Sequence, residues 1–532
     1  MPVNLINRFR ISKALICLSL GLIVAAGVLP SGAKTKIVSF KDAAKLKTWD
    51  ADDARSAQKW EEMRCVTREK LETLDLGLEE IGRLKVRHAR DIKASGWSIG
   101  CETMDRDYSD WDQYKHFVGM LGAKRGRLFS GWAKTEQEKG IYDFAWLDRQ
   151  VREMAAMGVK PWICLSYGNP VWGSDFRLGM RVKQITDDPE AFKAWLRYCR
   201  ACVERYKDVV DEWEVWNEPF KQGSEYAELF YRTAKAVKEI QPEGRVYCTA
   251  IEFPKDYKEV LEKLKAENAL HLGSLFIYHP YDENPDMSYT KYTEPMRALV
   301  KSYDPSYDVM QGESGCPAQV EWGHALRYIE WSEYSQAKWC LRRTIGDAVR
   351  SIRSNVFTMI DLQYTFMLQS FGMLRSNALK EVIYRRPVYF AMQNVFSTID
   401  CDVVAESVLT NAPVRATSLA VDAEGTFDPA LTVARFSRAG KPLVFCWYSG
   451  RRPSSRLTFD RVTIALDGVF TRPVLVEMIT GRVFRIPDSS VRSNASQTVL
   501  SDIPMWDSPL MIADEMSFPE VNASSTCIYF WK

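Results

Sequence analysis

The chain holds 532 residues, 46% of them hydrophobic and 26% charged, with a formal net charge of +2. That length supports a large core and more than one domain, and the composition excludes an intrinsically disordered chain. The near-neutral balance, with no strongly basic stripe, argues against a dedicated nucleic-acid binder.

In chain order, the first expected feature is a leader over residues 1–33. Arg8, Arg10 and Lys13 precede an apolar run from Ala14 to Leu29, and Ser31-Gly32-Ala33 supplies the small residues that a signal peptidase favours. The expectation is a cleaved export signal, a mature chain starting near Lys34, and a periplasmic or extracellular location. The run is short for a membrane span and Pro30 ends it. No other stretch is apolar and long enough to span, so no membrane insertion is expected after cleavage. Residues 34–94 are expected to form a helical extension, with Leu71, Leu74, Leu76, Leu78, Ile81 and Leu84 set among charged residues.

From Trp97 onward strands alternate with helices. The expected strands are Trp97–Glu102, Arg125–Ser130, Lys160–Ser166, Glu212–Trp216, Arg245–Ile251, Ser274–Tyr278, Tyr307–Gln311 and Val356–Leu362. Helical patterns follow each, among them a long one to Tyr206 with Asp188 as N-cap and Pro189 in the first turn. Eight such units over residues 95–400 predict an α/β fold, a (β/α)8 barrel. An open dinucleotide-binding sheet would carry a glycine-rich turn after its first strand, and Glu102-Thr103-Met104-Asp105 stands there instead. Residues 401–532 switch to short alternating runs broken by turns such as Ser449-Gly450 and Asp467-Gly468. They predict a β-sandwich that docks on the barrel, with strands including Thr417–Val421 and Cys527–Trp531.

The 12 cysteines include Cys17 in the leader, which leaves an odd number. Cys101, Cys164, Cys248 and Cys446 sit in apolar strand-like runs and are expected as buried thiols. Cys199 and Cys202 lie three apart on a helix, but with 5 His in the chain no further ligands accompany them. No metal or cofactor is implied. The sequence does not set the oligomeric state.

Barrel enzymes place their chemistry at the C-terminal ends of strands. Glu218, in Trp216-Asn217-Glu218-Pro219, falls after the fourth strand, and Glu313, in Gly312-Glu313-Ser314, at the seventh. Two carboxylates so placed are what glycoside hydrolysis needs: one protonates the leaving oxygen, and the other attacks or activates water. The 17 Trp and 23 Tyr add flat rings suited to sugar faces, although most are expected in the core.

These two motifs resemble those of clan A retaining glycoside hydrolases, with a flavour closest to family 39, whose members carry a trailing β-domain. The resemblance covers about residues 97–400, and the sandwich extends it to the end. It implies that Glu218 is the general acid/base and Glu313 the nucleophile. It further implies that Arg127 keeps the nucleophile ionised, that Asn217 holds the sugar 2-hydroxyl, and that His279 and Tyr281 flank the nucleophile. Trp132 and Glu136 after the second strand, and Asn169 and Trp172 after the third, are candidate sugar contacts, as are Glu102 and Asp105 after the first. Many clan members carry a Trp after the eighth strand. Here Met359-Ile360-Asp361-Leu362-Gln363-Tyr364 has none, and Gln363 or Tyr364 is the expected substitute. The implied partner is a carbohydrate, and the implied activity is exo-acting, β-xylosidase-like or β-galactosidase-like. An endo-acting glycanase, a transglycosylase and an inactive carbohydrate-binding barrel are the alternatives.

Overall fold

Eight parallel strands close into a barrel in the computed structural model. The structure describes residue 71 and residues 74–174, 182–219, 223–249, 255–418 and 430–515. The leader expected over 1–33, most of the expected extension and the strand expected at Cys527–Trp531 lie outside these residues.

After a first strand β1 (Glu80–Arg83), the barrel runs through β2 (Trp97–Gly100), β3 (Arg125–Phe129), β4 (Lys160–Leu165) and β5 (Glu212–Val215), then β6 (Arg245–Thr249), β7 (Leu275–Tyr278), β8 (Asp308–Ser314) and β9 (Arg353–Val356). β2 pairs with β9 to close it, Trp97 opposite Ser354. Side chains of Trp162, Tyr247, Ile277 and Met310 fill a small inner cluster. At the N-terminal end of the barrel the buried Glu212 takes Arg125 at 2.9 Å and Arg353 at 2.7 Å, and also pairs with Arg245. Burial opposes its charge, but the three arginines overcome this and hold its pKa at about 2. Charges clustered at this face serve stability.

The surrounding helices are α1 (Trp111–Leu121), α2 (Trp132–Thr135), α3 (Ala145–Ala156), α4 (Lys183–Thr186), α5 (Pro189–Tyr206), α6 (Gly223–Ile240), α7 (Lys255–Ala266), α8 (Glu294–Tyr303), α9 (Glu333–Val349) and α10 (Pro387–Thr398). Asp188 caps α5, accepting from the N–H groups of Glu190 and Ala191 at 2.9 and 3.2 Å. Helices α9 and α10 are buried nearly all round, because the barrel covers one side and the β-domain the other.

The eighth strand differs from expectation. It ends at Val356, where the predicted strand began. The apolar residues that follow pack under two rim hairpins, β10 (Leu362–Gln363) with β11 (Leu368–Gln369) and β12 (Leu374–Ser376) with β13 (Val382–Arg385). Buried Asp361 anchors this rim by a two-pronged pair with Arg386 at 2.5 and 2.9 Å.

The C-terminal domain holds β14 (Val403–Ala412), β15 (Val414–Ser418), β16 (Leu431–Arg438), β17 (Lys441–Tyr448), β18 (Asp460–Asp467), β19 (Pro473–Glu477), β20 (Arg482–Arg485), β21 (Val491–Ser493), β22 (Gln497–Met505) and β23 (Leu510–Asp514). They form a seven-stranded sheet, β1-β20-β19-β23-β17-β16-β14, and a four-stranded sheet, β15-β18-β22-β21. A second hydrophobic core includes Val444, Leu475, Ile464 and Leu500 from the two sheets. The described part of the expected helical extension is corrected here. Residues 74–94 contain no α-helix, and β1 adds an edge strand to the sandwich, Glu80 opposite Phe484. Leu76 joins the sandwich core with Leu74 and Leu78 against it, an alternation with the period of two that belongs to extended chain.

None of the nine cysteines among the described residues is in a disulfide, and eight of them are buried. Among the described residues no helix is long and apolar enough to cross a membrane.

Candidate active site

The turn after β5 positions the first carboxylate. Trp216 and Glu218 both have left-handed backbones, with φ of 66° and 51°, a conformation that costs a non-glycine residue of order 1–3 kcal/mol. Packing holds it there. The Trp216 ring is buried edge-on against Trp195 at 5.6 Å and Tyr167 at 5.8 Å, and its backbone N–H donates to the Leu165 carbonyl at 2.9 Å. The result places Asn217 and Glu218 in the wall of a pocket of about 370 Å³ at the C-terminal mouth of the barrel. β8 brings Glu313 to the same pocket from the seventh barrel position.

Arg127 ties the site together. It is completely buried, and each of its five N–H donors has an acceptor. Nε and Nη2 grip the two oxygens of Glu214, both at 2.8 Å. Nη2 also reaches Asn217 Oδ1 at 2.7 Å. Nη1 reaches Glu313 Oε2 at 2.6 Å and Glu102 Oε1 at 3.2 Å. One guanidinium thus fixes groups on or just after β2, β5 and β8 from its own place on β3. A planar fork with five donors suits this task in a way that a lysine does not.

The two carboxylates differ in surroundings. Glu313, with its side chain 11% exposed, accepts from Arg127 on one oxygen and from the Tyr281 hydroxyl at 2.8 Å on the other. Burial pushes its pKa up, but the charges of His279 and Arg127 and these hydrogen bonds outweigh burial and hold it below the ordinary range. Glu218 is 30% exposed and meets His279 Nδ1 at 2.8 Å. His279 Nδ1 also lies 3.9 Å from Glu313 Oε2. Burial lowers the His279 pKa, and the two glutamates reverse this and raise it. Glu218, His279 and Glu313 bring one ligand-type atom each within 4.8 Å of one another. Both Glu313 oxygens already accept strong hydrogen bonds and a guanidinium sits against one of them, so the trio is poorly suited to a cation.

Glu102 shares Arg127 with two other carboxylates and gives way. Burial, reinforced by the Glu313 charge, pushes its pKa up to about 7 against the pull of Arg127. Asp105 pairs with Arg106 at 3.4 Å.

Besides Glu102 and Asp105, five more expected sugar contacts are absent from the pocket lining. Trp132 is fully buried, stacked on Tyr198 at 5.8 Å, with its indole N–H donating to Glu136 at 2.5 Å. The other Glu136 oxygen accepts from the Gly140 N–H at 2.6 Å. Asn169 accepts from the Val171 N–H at 3.1 Å and donates to the Glu136 carbonyl at 2.7 Å. These three side chains brace the loops from below. Trp172 lies under the Lys139 ammonium at 4.3 Å and the Arg197 guanidinium at 5.5 Å. The Gln363 amide donates to the Tyr364 carbonyl at 2.8 Å, and it is Tyr364 that lines the pocket.

Three residues escaped the sequence reading. Arg106 lines the pocket with its guanidinium over Tyr167 at 4.9 Å and Tyr108 at 5.1 Å. Tyr167 accepts from the Asn217 amide at 2.8 Å. Glu214 receives the Arg127 fork. A signal for it existed: Arg125 and Arg127 alternate on β3 as Glu212 and Glu214 do on β5, which sets two ion pairs across the barrel interior.

Fold and site together define a (β/α)8 barrel with a trailing β-sandwich and a carboxylate pair at its fourth and seventh strands. Known proteins agree with the fold. No family model matches the sequence. A 127-residue stretch is 31% identical to a β-xylosidase from Geobacillus stearothermophilus; it covers 21% of this chain and 25% of that protein, so the chain spans about a quarter of the length of this curated relative. A monomeric β-xylosidase from Caulobacter crescentus aligns in structure with a TM-score of 0.51 and 15% identity, over 81% of this chain and 97% of its own. A GH39 β-xylosidase from Caulobacter crescentus aligns with a TM-score of 0.49 and 16% identity, over 82% and 98% of the two chains. The first structural likeness establishes the shared fold.

Proposed function

We propose that the chain is an exported retaining glycoside hydrolase that removes single sugars from β-linked oligosaccharides, with β-xylosidase-like and β-galactosidase-like action the leading candidates. One observation carries this reading: an oxygen of Glu218 and an oxygen of Glu313 lie within 4.8 Å of each other. Retaining enzymes hold their carboxyls roughly 5 Å apart, whereas inverting ones leave more than about 6.5 Å for a water. The partial sequence likeness to a β-xylosidase supports the choice of xylose. The Arg8-Arg10-Lys13 cluster and apolar run that follows it support export.

In this reading Glu313, held ionised by Arg127 and Tyr281, attacks the anomeric carbon. As that C–O bond forms, the glycosidic C–O bond breaks and the leaving oxygen takes the proton of Glu218. Water then attacks the same carbon, gives its proton to Glu218, and releases Glu313. A pocket of about 370 Å³ sits at the small end of ligand sites, which favours a chain end over the middle of a polymer.

Glu313→Gln is expected to remove turnover of 4-nitrophenyl β-D-xyloside and β-D-galactoside while leaving the circular dichroism spectrum intact; full activity would sink the nucleophile assignment. Glu218→Ala is expected to slow natural disaccharides far more than the activated aryl glycosides. Proton NMR of the first product is expected to show the β anomer.

A further inference from the structure

A row of aromatic rings climbs from the pocket into solvent. Tyr364 packs on Tyr108 at 4.4 Å and on His324 at 4.5 Å; His324 stacks on Phe366 at 5.7 Å; Phe366 meets Trp322 at 5.5 Å. Tyr364 and His324 line the catalytic pocket. At the outer end Trp322 is 56% and Phe366 57% exposed. Exposed apolar rings grouped in this way mark a binding surface.

Trp322 and His324 lie on one loop, and Tyr364 and Phe366 on the turn between β10 and β11. His324, Leu326 and Tyr328 all have left-handed backbones, with φ of 66°, 57° and 62°. Three such residues within five concentrate backbone strain, and strain of this kind gathers at functional sites. Buried Glu321 pins the loop to the neighbouring hairpin by accepting from the Ser370 hydroxyl at 2.6 Å, and its carbonyl closes the loop by accepting from the Tyr328 N–H at 2.7 Å. Among the described residues, buried His324 Nε2 has no hydrogen-bond partner. Glu218 is the charged group that bears on the His324 ring. The row starts in the pocket that holds both glutamates, and where that pocket takes one terminal sugar every further unit lies on the leaving-group side.

We propose that this row binds the sugar units on the leaving-group side, so that the substrate is a chain of at least three neutral pyranoses. The second unit rests on Tyr364 and His324. The third rests on Phe366 and Trp322. The proposal rests on the exo-acting reading, which fixes the side. Rings with C–H faces meet aromatic faces there, and repeated rings along the row give repeated contacts of the kind a repeating sugar makes.

The test is calorimetric titration of the Glu313→Gln protein with β-1,4-linked xylo-oligosaccharides and galacto-oligosaccharides of one to four units. Affinity in one series is expected to rise about tenfold or more from one unit to three, the scale of one or two added aromatic contacts. Trp322→Ala or Phe366→Ala in the same background is expected to flatten that rise, and Trp322→Tyr to restore it. Both rings are exposed, and unchanged thermal melting would show that the fold is intact. No length dependence in either series would overturn the proposal, as would a dependence that survives both alanine variants. Tighter binding of a nitrophenyl monoglycoside than of the trisaccharide would overturn it in favour of an aromatic leaving group. Absence of turnover by the unsubstituted enzyme on every aryl glycoside would instead count against the glycosidase reading, and length-dependent binding would stand apart from it.

Discussion

Tyr281 supplies the second hydrogen bond that keeps Glu313 charged, and its removal has a signed consequence. Glu313 sits below the ordinary carboxylate range, with burial opposed by His279, Arg127 and Tyr281. Tyr281→Phe deletes a donor that favours the charged form, so the Glu313 pKa rises and the acid limb of kcat/KM moves upward. A hydrogen bond to a charged group is worth about 1.5–3 kcal/mol, so a displacement of about one to two pH units is expected. An acid limb that stays in place in a pH–rate profile would show that His279 and Arg127 hold the charge without Tyr281. At this scale the sequence was most legible where chemistry and strand ends coincide. Glu218, Glu313, Asn217, His279, Tyr281 and Arg127 all meet in the structure. Trp132, Glu136, Asn169 and Trp172 follow strands too, but the short helix α2 and the turn at Pro170–Trp172 carry them behind the pocket wall. Arg106 and Tyr167 were missed because loop paths, unlike strand ends, have no period to read.

At the scale of elements, barrel strands and helices were legible because each carries a local signal: buried apolar runs for strands and caps such as Asp188 for helices. The last strand was misplaced because Val356–Leu362 is as apolar as a strand, although its partners are rim hairpins. That rim presses on the nucleophile strand. A Cβ built on Gly315 would overlap the Phe357 carbonyl oxygen, with the Phe371 ring at 3.3 Å on its flank. Backbone cannot rotate away as a side chain can. Gly315→Ala is therefore expected to destabilise the fold by about 1–3 kcal/mol, and, lying two residues from Glu313, to lower kcat as well. Urea unfolding checks the first effect and aryl glycoside kinetics the second. A shift within about 0.5 kcal/mol, the range of an innocuous surface change, would mean that the rim yields.

For the whole molecule, the decisive feature is that the sandwich is built from both ends of the described chain. β1 enters it before the barrel begins, so a boundary at residue 401 separates only part of the β-domain. No composition shift announces this, because β1 is four residues long and its partner β20 lies some 400 positions away in sequence. The two domains are then joined by polar contacts from α9. Arg342 reaches the Ser449 carbonyl at 3.1 Å, and Asn284 donates to the same oxygen at 2.8 Å. Lys338 is fully buried, with its ammonium on Asp507 at 2.6 Å, on the Arg456 carbonyl at 2.5 Å and 5.0 Å above the Trp506 ring. Asp507 also accepts from the Ser454 N–H at 2.7 Å and hydroxyl at 2.9 Å. Removing Lys338 leaves the Asp507 carboxylate, 22% exposed, without its cation, at a cost of about 1.5–3 kcal/mol. Because that cost falls at the joint, Lys338→Ala is expected to loosen the sandwich before the barrel melts. Differential scanning calorimetry should show a lower first transition that separates from the main one. Lys338→Met with Asp507→Asn removes both charges and should recover much of the loss. A single transition at the original temperature for Lys338→Ala would mean that apolar packing against α9 and α10 alone holds the two domains together.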